Sequence, residues 1–134
     1  MTPGQKIKRE ILAKAIELND DIQCDEEITA ENIDELYDRL LVDEDRHWDF
    51  ESEFRGSGED TGLKCDWSRH YESNAVARQL SDGTWVGWTY WFGGGKHGEP
   101  EAIEWIDDAY EVECHQETRV VNVFKNKVAE QATS

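Results

Sequence analysis

The fold of this 134-residue chain is decided by nine consecutive residues, Thr84-Trp85-Val86-Gly87-Trp88-Thr89-Tyr90-Trp91-Phe92. The stretch is rich in aromatic and β-branched residues, which favour strands. Side chains alternate between the two faces of a strand. One face therefore carries Val86, Trp88, Tyr90 and Phe92, and we predict that it is core. The other face carries Trp85, Gly87, Thr89 and Trp91, and it is either covered by helices or an exposed aromatic platform.

The flanking residues predict an antiparallel sheet around this strand. Asp82-Gly83 is a strong hairpin signal, and Asn74 to Leu80 is the strand that precedes it. Gly87 marks a bulge or a close backbone approach. A loop from Gly93 to Gly98 and a short helix beginning at Pro100 follow. Further strands are predicted at Ala109 to Cys114 and at Arg119 to Lys125.

The N-terminal part is predicted to be helical. Thr2 and Pro3 suit the start of a helix that runs to Leu18, and Thr29 caps a second helix that ends at Leu41. The fold class is α+β, with two N-terminal helices packed on an antiparallel sheet of about four strands. We expect one domain over residues 1–134: a helical, strongly acidic part (1–60), a sheet part (61–125) and a frayed tail (126–134). In the least readable region, 46–70, residues 47–50 could form an edge strand and 56–62 a loop.

Charge excludes several classes of function. Thirty-one Asp and Glu oppose fourteen Lys and Arg, which gives a net charge of −17. A binder of nucleic acid needs a basic surface, so we expect no direct nucleic-acid contact. Adsorption to an anionic membrane is disfavoured for the same reason, and no apolar run reaches the roughly 18 residues of a spanning helix. We expect a cytoplasmic protein.

Most of the excess charge lies in residues 20–60, which carry seventeen acidic and three basic residues. Within the second predicted helix, four carboxylates recur at helical spacing: Glu31, Asp34, Glu35 and Asp38. They span about 10 Å of helix, or one charge per roughly 2.6 Å, against about 1.7 Å along duplex DNA. Only Arg39, off the stripe, could relieve them. Asp43, Glu44 and Asp45 extend the acidic surface. A solvated helix face is the alternative interpretation.

The sequence gives little indication of a disulfide, a metal site, a phosphate site or a catalytic site. Cys24, Cys65 and Cys114 are odd in number and widely spaced, which is typical of reduced thiols. A zinc site would need the adjacent Cys114 and His115, whose side chains point to opposite faces of a strand. The loop around Lys96 fails the P-loop pattern. His70, His97 and nearby carboxylates form no known catalytic motif, so we predict no enzyme activity and no cofactor.

A resemblance comes from Arg69-His70-Tyr71-Glu72-Ser73 and, above all, from Trp85-Val86-Gly87-Trp88-Thr89-Tyr90-Trp91-Phe92-Gly93-Gly94-Gly95-Lys96-His97-Gly98-Glu99-Pro100-Glu101-Ala102-Ile103-Glu104-Trp105. Over about residues 55–115 the chain resembles small uncharacterised proteins of tailed bacteriophages. No established activity is attached to that family. The resemblance implies a phage or prophage context, hence the host cytoplasm, and no catalytic residue. The acidic block at 20–60 lies outside it.

These observations favour a protein that binds another protein. The predicted partner is a host complex with a basic nucleic-acid-binding surface, of the CRISPR or restriction type, which the carboxylates would inhibit by mimicking DNA. Trp85 and Trp91 are candidate apolar anchors. The alternative is an aromatic-sheet module for a small ligand or single-stranded nucleic acid, using Trp85, Trp91, Lys96 and His97; a phage enzyme built around His70 and His97 ranks below it. A homodimer is also open.

Overall fold

A computed structural model describes residues 1–127 of the chain. In this part, three helices precede a four-stranded antiparallel sheet of strand order β1-β2-β3-β4. The elements are α1 (Pro3–Leu18), α2 (Ile33–Leu40), α3 (Glu44–Arg55), β1 (Glu59–Asp60), β2 (Glu72–Gln79), β3 (Trp85–Phe92), a single 3-10 turn (Pro100–Ala102) and β4 (Tyr110–Val112). The predicted α+β class, with N-terminal helices, is confirmed. Of the predicted frayed tail, residues 128–134 lie outside the described residues.

Helix α1 begins and ends where its sequence predicts. The N–H of Gln5 donates to Thr2 Oγ1 at 3.1 Å, and the N–H of Thr2 donates back to Gln5 Oε1 at 2.9 Å. This reciprocal capping box satisfies backbone donors that the first turn would otherwise leave free. Pro3 occupies the first turn, and Asn19 closes the helix. The inner face is buried in the core and consists of Ile7, Ile11, Leu12 and Ala15.

Helix α2 is shorter than predicted. It begins at Ile33, because the residues from Thr29 onward form a turn in which the Thr29 carbonyl accepts from the N–H groups of Asn32 and Ile33. Thr29 is therefore not the cap. The Asn32 side chain accepts from the Thr29 N–H at 2.7 Å and so holds this turn. The predicted inner face of this helix is buried, as expected, at Ile33, Leu36, Tyr37 and Leu41. Leu40 is half-buried.

Helix α3 was missed by the sequence analysis. The edge strand predicted at residues 47–50 is wrong, since Glu44–Arg55 is helical. The Asp43 carboxylate caps this helix by accepting from the N–H groups of Asp45 at 3.1 Å and Arg46 at 3.2 Å. Among its residues only Phe54 is fully buried, so the helix lacks the apolar periodicity that would reveal it. Its visible signal was the capping aspartate followed by two acidic residues.

The sheet is built on the predicted hairpin. Strands β2 and β3 pair without interruption from Glu72↔Phe92 to Gln79↔Trp85, and the turn places Gly83 at φ +88°, a conformation that suits glycine. The regular register excludes a bulge at Gly87. The close approach there is made by a side chain and not by a backbone, because a Cβ on Gly87 would lie 2.6 Å from Cε2 of Tyr110.

Two strand predictions at the edges need correction. Residues 59–60, predicted to be loop, form β1 against Val76 and Ala77. Residues 119–125, predicted to be the last strand, form no strand, because no backbone partner lies beside them in the described chain. Strand β4 is confined to Tyr110–Val112 of the predicted Ala109–Cys114.

The core lies between the helices and the first face of β3. Val86 and Trp88 are fully buried, as predicted, while Tyr90 and Phe92 are half-buried. The Trp88 ring lies 5.2 Å from the ring of Phe54 in α3 and 5.6 Å from that of Trp105. Such aromatic clusters stabilise a core by area and by ring geometry. Trp88 is thus the centre of the packing between helices and sheet.

Helix α1 is also tied to the hairpin by charged groups. Asp82 accepts from the N–H of Thr84 at 3.0 Å and from its hydroxyl at 2.6 Å, and Arg9 lies 3.0 Å from the same carboxylate. The Glu10 carboxylate accepts from the N–H and hydroxyl of Ser81. The bonds from Thr84, together with the Arg9 guanidinium, hold the pKa of Asp82 well below its usual range.

This pKa depression predicts how stability depends on pH. A carboxylate with a folded-state pKa below its unfolded value of about 3.9 contributes stability above that value, and the contribution is lost as pH falls toward the folded pKa. Asp82→Asn should therefore lower the melting temperature at pH 7, and the difference from wild type should shrink below about pH 4. Thermal unfolding at a series of pH values measures this. Asp108→Asn, at another exposed carboxylate, is the control; an Asp82→Asn deficit that stays constant down to the lowest pH would contradict the assignment.

Candidate functional site

The acidic residues that the sequence analysis singled out all lie at the surface. Each of Glu31, Asp34, Glu35, Asp38, Asp43, Glu44 and Asp45 is exposed. They do not form one helical stripe, however. Glu31 lies in the turn before α2, the next three lie on α2, and the last three lie at the start of α3. Of the predicted stripe, Asp34, Glu35 and Asp38 keep helical spacing on α2, whereas Glu31 does not. The remaining charge lies at the start of α3.

Two of the carboxylates have basic partners, of which the sequence had indicated only Arg39. Asp34 Oδ1 lies 3.0 Å from Lys8 Nζ of α1, and its other oxygen accepts from Gln5. The bonds from these two side chains lower the pKa of Asp34. Glu35 pairs with Arg39 at 2.8 Å. The expectation that Arg39 alone could relieve the charge was wrong, because α1 packs beside α2 and brings Lys8 to it.

Asp43 also has a local role, since it caps α3 and lies 3.4 Å from Arg46 Nε. Arg46 reaches back to Asp21 at 2.9 Å. Exposed pairs of this kind contribute little to stability, but they neutralise part of the surface. Within residues 1–127, four of the seven carboxylates make no side-chain hydrogen bond or ion pair. We call these the open carboxylates: Glu31, Asp38, Glu44 and Asp45.

The two predicted anchors occupy different environments. Trp91 is 8 % exposed and offers almost no ring surface, whereas Trp85 is half-buried. The helices pack on the opposite face of β3, so they do not cover these rings. The loop after β1 lies over this second face instead: the Ser73 hydroxyl, across from Trp91 in the register, donates to the Asp66 carbonyl at 2.7 Å. Of the two, only Trp85 is accessible.

An aromatic cleft that the sequence analysis missed lies at the end of the sheet. Trp67 is 82 % exposed and borders an open cleft of about 530 Å³. The cleft is lined mainly by Trp67, Arg69, His70, Tyr71 and Phe92. Its only sequence signal was a cluster of aromatic and basic residues in a region without periodicity. The lining also includes the carboxylate of Glu72 beside the guanidinium of Arg69. The cleft therefore combines flat aromatic surface with one group of each charge, which suits a planar polar ligand.

The glycine loop packs beside this cleft. Glu99 donates its N–H to the Tyr71 hydroxyl at 3.2 Å, and Gly94, at φ +86°, approaches the Tyr71 ring so closely that a Cβ would lie 2.4 Å from Cε1. Lys96 and His97 are exposed at the tip of the loop. The loop is thus held at its base, while its two basic residues face solvent. They follow the end of β3 that is opposite Trp85. The alternative interpretation, which groups these residues with Trp85 in one site, therefore has them at two ends of the strand.

The described residues offer neither a metal cluster nor a spanning helix. No group of three or more His, Cys, Asp or Glu side chains in residues 1–127 is arranged to hold a metal ion. All three cysteines are free thiols. None of the helices in this part of the chain has the length and apolar character that crossing a membrane requires.

Comparison with family models, with curated proteins and with solved structures gives no match to this chain. The resemblance to tailed-phage proteins therefore rests on the residues quoted above.

Proposed function

We propose that this protein binds a basic surface of another protein through its exposed carboxylates. The open carboxylates carry the proposal, because four exposed acidic side chains have no counterion among residues 1–127. They lie in the turn before α2, in the last turn of α2 and at the start of α3. In the phage context that the sequence suggests, the partner is a host nucleic-acid-binding defence complex of the CRISPR or restriction type, in the host cytoplasm. The protein inhibits it by occupying the site of DNA.

The mechanism is occlusion. Lysine and arginine side chains that normally bind phosphates pair with the open carboxylates, and the net charge of −17 accelerates the encounter by long-range attraction. Asp34 and Glu35 contribute less, since Lys8 and Arg39 already neutralise them. Trp85 adds apolar contact where its ring is exposed. No catalytic step and no cofactor are part of the proposal.

The test replaces the open carboxylates by their amides, as Glu31→Gln, Asp38→Asn, Glu44→Gln and Asp45→Asn. The probes are purified guide-loaded CRISPR effector complexes and restriction endonucleases, with DNA cleavage as the readout. We expect the wild-type protein to inhibit at least one of them in competition with DNA. The variant should associate about tenfold more slowly and show a weaker salt dependence, as expected when electrostatic steering is lost.

A matched variant separates local from net charge. Glu99→Gln, Glu101→Gln, Asp107→Asn and Asp108→Asn changes the net charge equally but leaves the open carboxylates in place. This control should inhibit nearly as well as the wild type. If both variants lose inhibition equally, net charge alone explains the effect. If the first variant inhibits as well as the wild type, the open carboxylates are only a solvated surface and do not bind the partner.

A second candidate function is binding of a small planar polar ligand or of single-stranded nucleic acid in the aromatic cleft. The exposure of Trp67 beside Arg69 and His70 favours it, since bases stack on such rings. This cleft differs from the site predicted at Trp85, Trp91, Lys96 and His97. Quenching of tryptophan fluorescence by an oligonucleotide, lost in Trp67→Ala, distinguishes this function from the first.

A further inference from the structure

A strongly apolar segment leaves the fold after β4 and packs on nothing in the described chain. Val120 is 100 % exposed, Val121 69 %, Val123 80 % and Phe124 88 %. Contiguous exposed apolar side chains of this size mark interaction sites in soluble proteins. Three valines and a phenylalanine within five residues also have the composition of a strand. The segment, residues 119–125, is called the C-terminal arm below.

The sheet has a free edge close to where the arm leaves it. Strand β4 pairs with β3 through Tyr110, Glu111 and Val112. On its other side, no backbone hydrogen bond joins β4 to any part of residues 1–127. An unpaired edge is a template for another strand. The arm is a potential strand that pairs with no sheet in the described residues, and β4 is a sheet edge with no strand beside it.

A cavity next to this edge could receive apolar side chains of an added strand. It measures about 240 Å³ and lies on the second face of the sheet, where its lining includes Trp85, Val112 and Cys114. This volume is below the range of about 300–1,000 Å³ that is usual for small-molecule sites, so it suits a side chain better than a ligand. Alternate residues of a strand beside β4 would point to this face.

The connector between β4 and the arm argues against pairing within one chain. Residues 113–118 are Glu-Cys-His-Gln-Glu-Thr and contain none of the glycine, proline, asparagine or aspartate residues that favour tight reversals. A hairpin of the arm onto its own β4 would have to reverse in this segment. Without such residues that reversal is disfavoured, so the arm is available to the edge of another molecule.

The arm finds a local charge complement at the sheet edge of a second copy of this chain. The arm and its neighbour Lys127 carry three basic residues and no acidic residue. Arg119 pairs with Glu117 of the connector at 3.3 Å, which leaves Lys125 and Lys127 as its unpaired cations within residues 1–127. Around the cavity, the exposed carboxylates of Glu59, Asp60 and Glu113 offer the opposite charge. The basic arm therefore complements the very edge that its own sequence leaves open.

We propose that the C-terminal arm of one molecule adds to the free edge of β4 in a second molecule, and that the exchange is reciprocal. The product is a homodimer in which each sheet gains a fifth strand from its partner. Reciprocal contacts of this kind close on themselves and stop at two copies.

The test measures mass and backbone protection of the full chain. Sedimentation over micromolar to submillimolar concentrations should show a dimer, and hydrogen exchange should show that residues 119–125 become protected as the dimer forms. A variant in which Val120, Val121, Val123 and Phe124 are all serine should be monomeric. It should keep the wild-type circular dichroism, because these side chains lie outside the core. Leu18→Ser with Val42→Ser, two exposed residues elsewhere, should leave the dimer intact.

Salt adds a signature that separates this proposal from the proposed function. Two copies of net charge −17 repel each other, and screening weakens the repulsion. Dimerisation should therefore strengthen between about 0.05 M and about 0.5 M NaCl, whereas binding to a basic partner should weaken. A monomer with a protected arm would show that the arm folds back on its own chain. That result would overturn the proposal. So would a monomer with an unprotected arm, and so would a serine variant that still forms the dimer.

Discussion

Trp88→Ala is expected to lower the free energy of unfolding by about 3–5 kcal/mol. Trp88 is fully buried, and its ring packs on Phe54 and Trp105 at the junction of helices and sheet. Its indole N–H also donates to the Arg55 carbonyl at 3.2 Å, so truncation removes a bond that satisfies the end of α3. Denaturant unfolding measures the change. For a domain with typical stability of about 5–15 kcal/mol, the loss is a large share of the total.

Trp67→Ala is the matched control for this experiment. The same chemical change is made at a ring that is 82 % exposed, where the expected effect is below about 0.5 kcal/mol. Should both variants lose similar stability, the packing described around Trp88 would be wrong. If the Trp88 variant does not fold at all, urea titration of the milder Trp88→Phe tests the same contact, with a smaller loss expected.

Gly4→Ala is expected to destabilise the protein by about 1–3 kcal/mol. Helix propensity alone predicts the opposite, since alanine in a helix interior is favoured over glycine by about 1 kcal/mol. Gly4 lies in the first turn of α1, however, where a Cβ would be only 2.6 Å from the carbonyl oxygen of Ile106. A backbone oxygen cannot rotate aside as a flexible side chain can. The added methyl group must push α1 away from the segment around Ile106.

Gly56→Ala provides the comparison. Gly56 follows α3 at φ −84°, and its nearest atom to an added Cβ, the Ser52 carbonyl oxygen, would be at an ordinary 3.5 Å. Its effect on denaturant unfolding should stay within about 0.5 kcal/mol. A Gly4→Ala variant at least as stable as the wild type would show that the two backbones do not approach as closely as described.

Local signals determined the best-predicted elements. The capping box of Thr2 and Gln5 and the apolar stripe of α1 lie within single turns of helix, so sequence spacing reports them directly. The Asp82-Gly83 turn fixes the register of the hairpin, and the alternation along β3 then places Val86 and Trp88 in the core. No partner from elsewhere in the chain is needed for these inferences. The exposure of the seven predicted acidic residues follows equally from their charge.

Only the tertiary structure decided which distant groups meet. Helix α3 escaped prediction because its amphipathic signal is reduced to Phe54 and a half-buried Phe50, and its position depends on packing against Trp88. The pairing of Asp34 with Lys8 depends on how α1 lies beside α2. The burial of Trp91 depends on a loop that crosses the second face of the sheet. Charge and side-chain pattern specify what a residue can do, but its partners are set by the distances that folding establishes between remote parts of the chain.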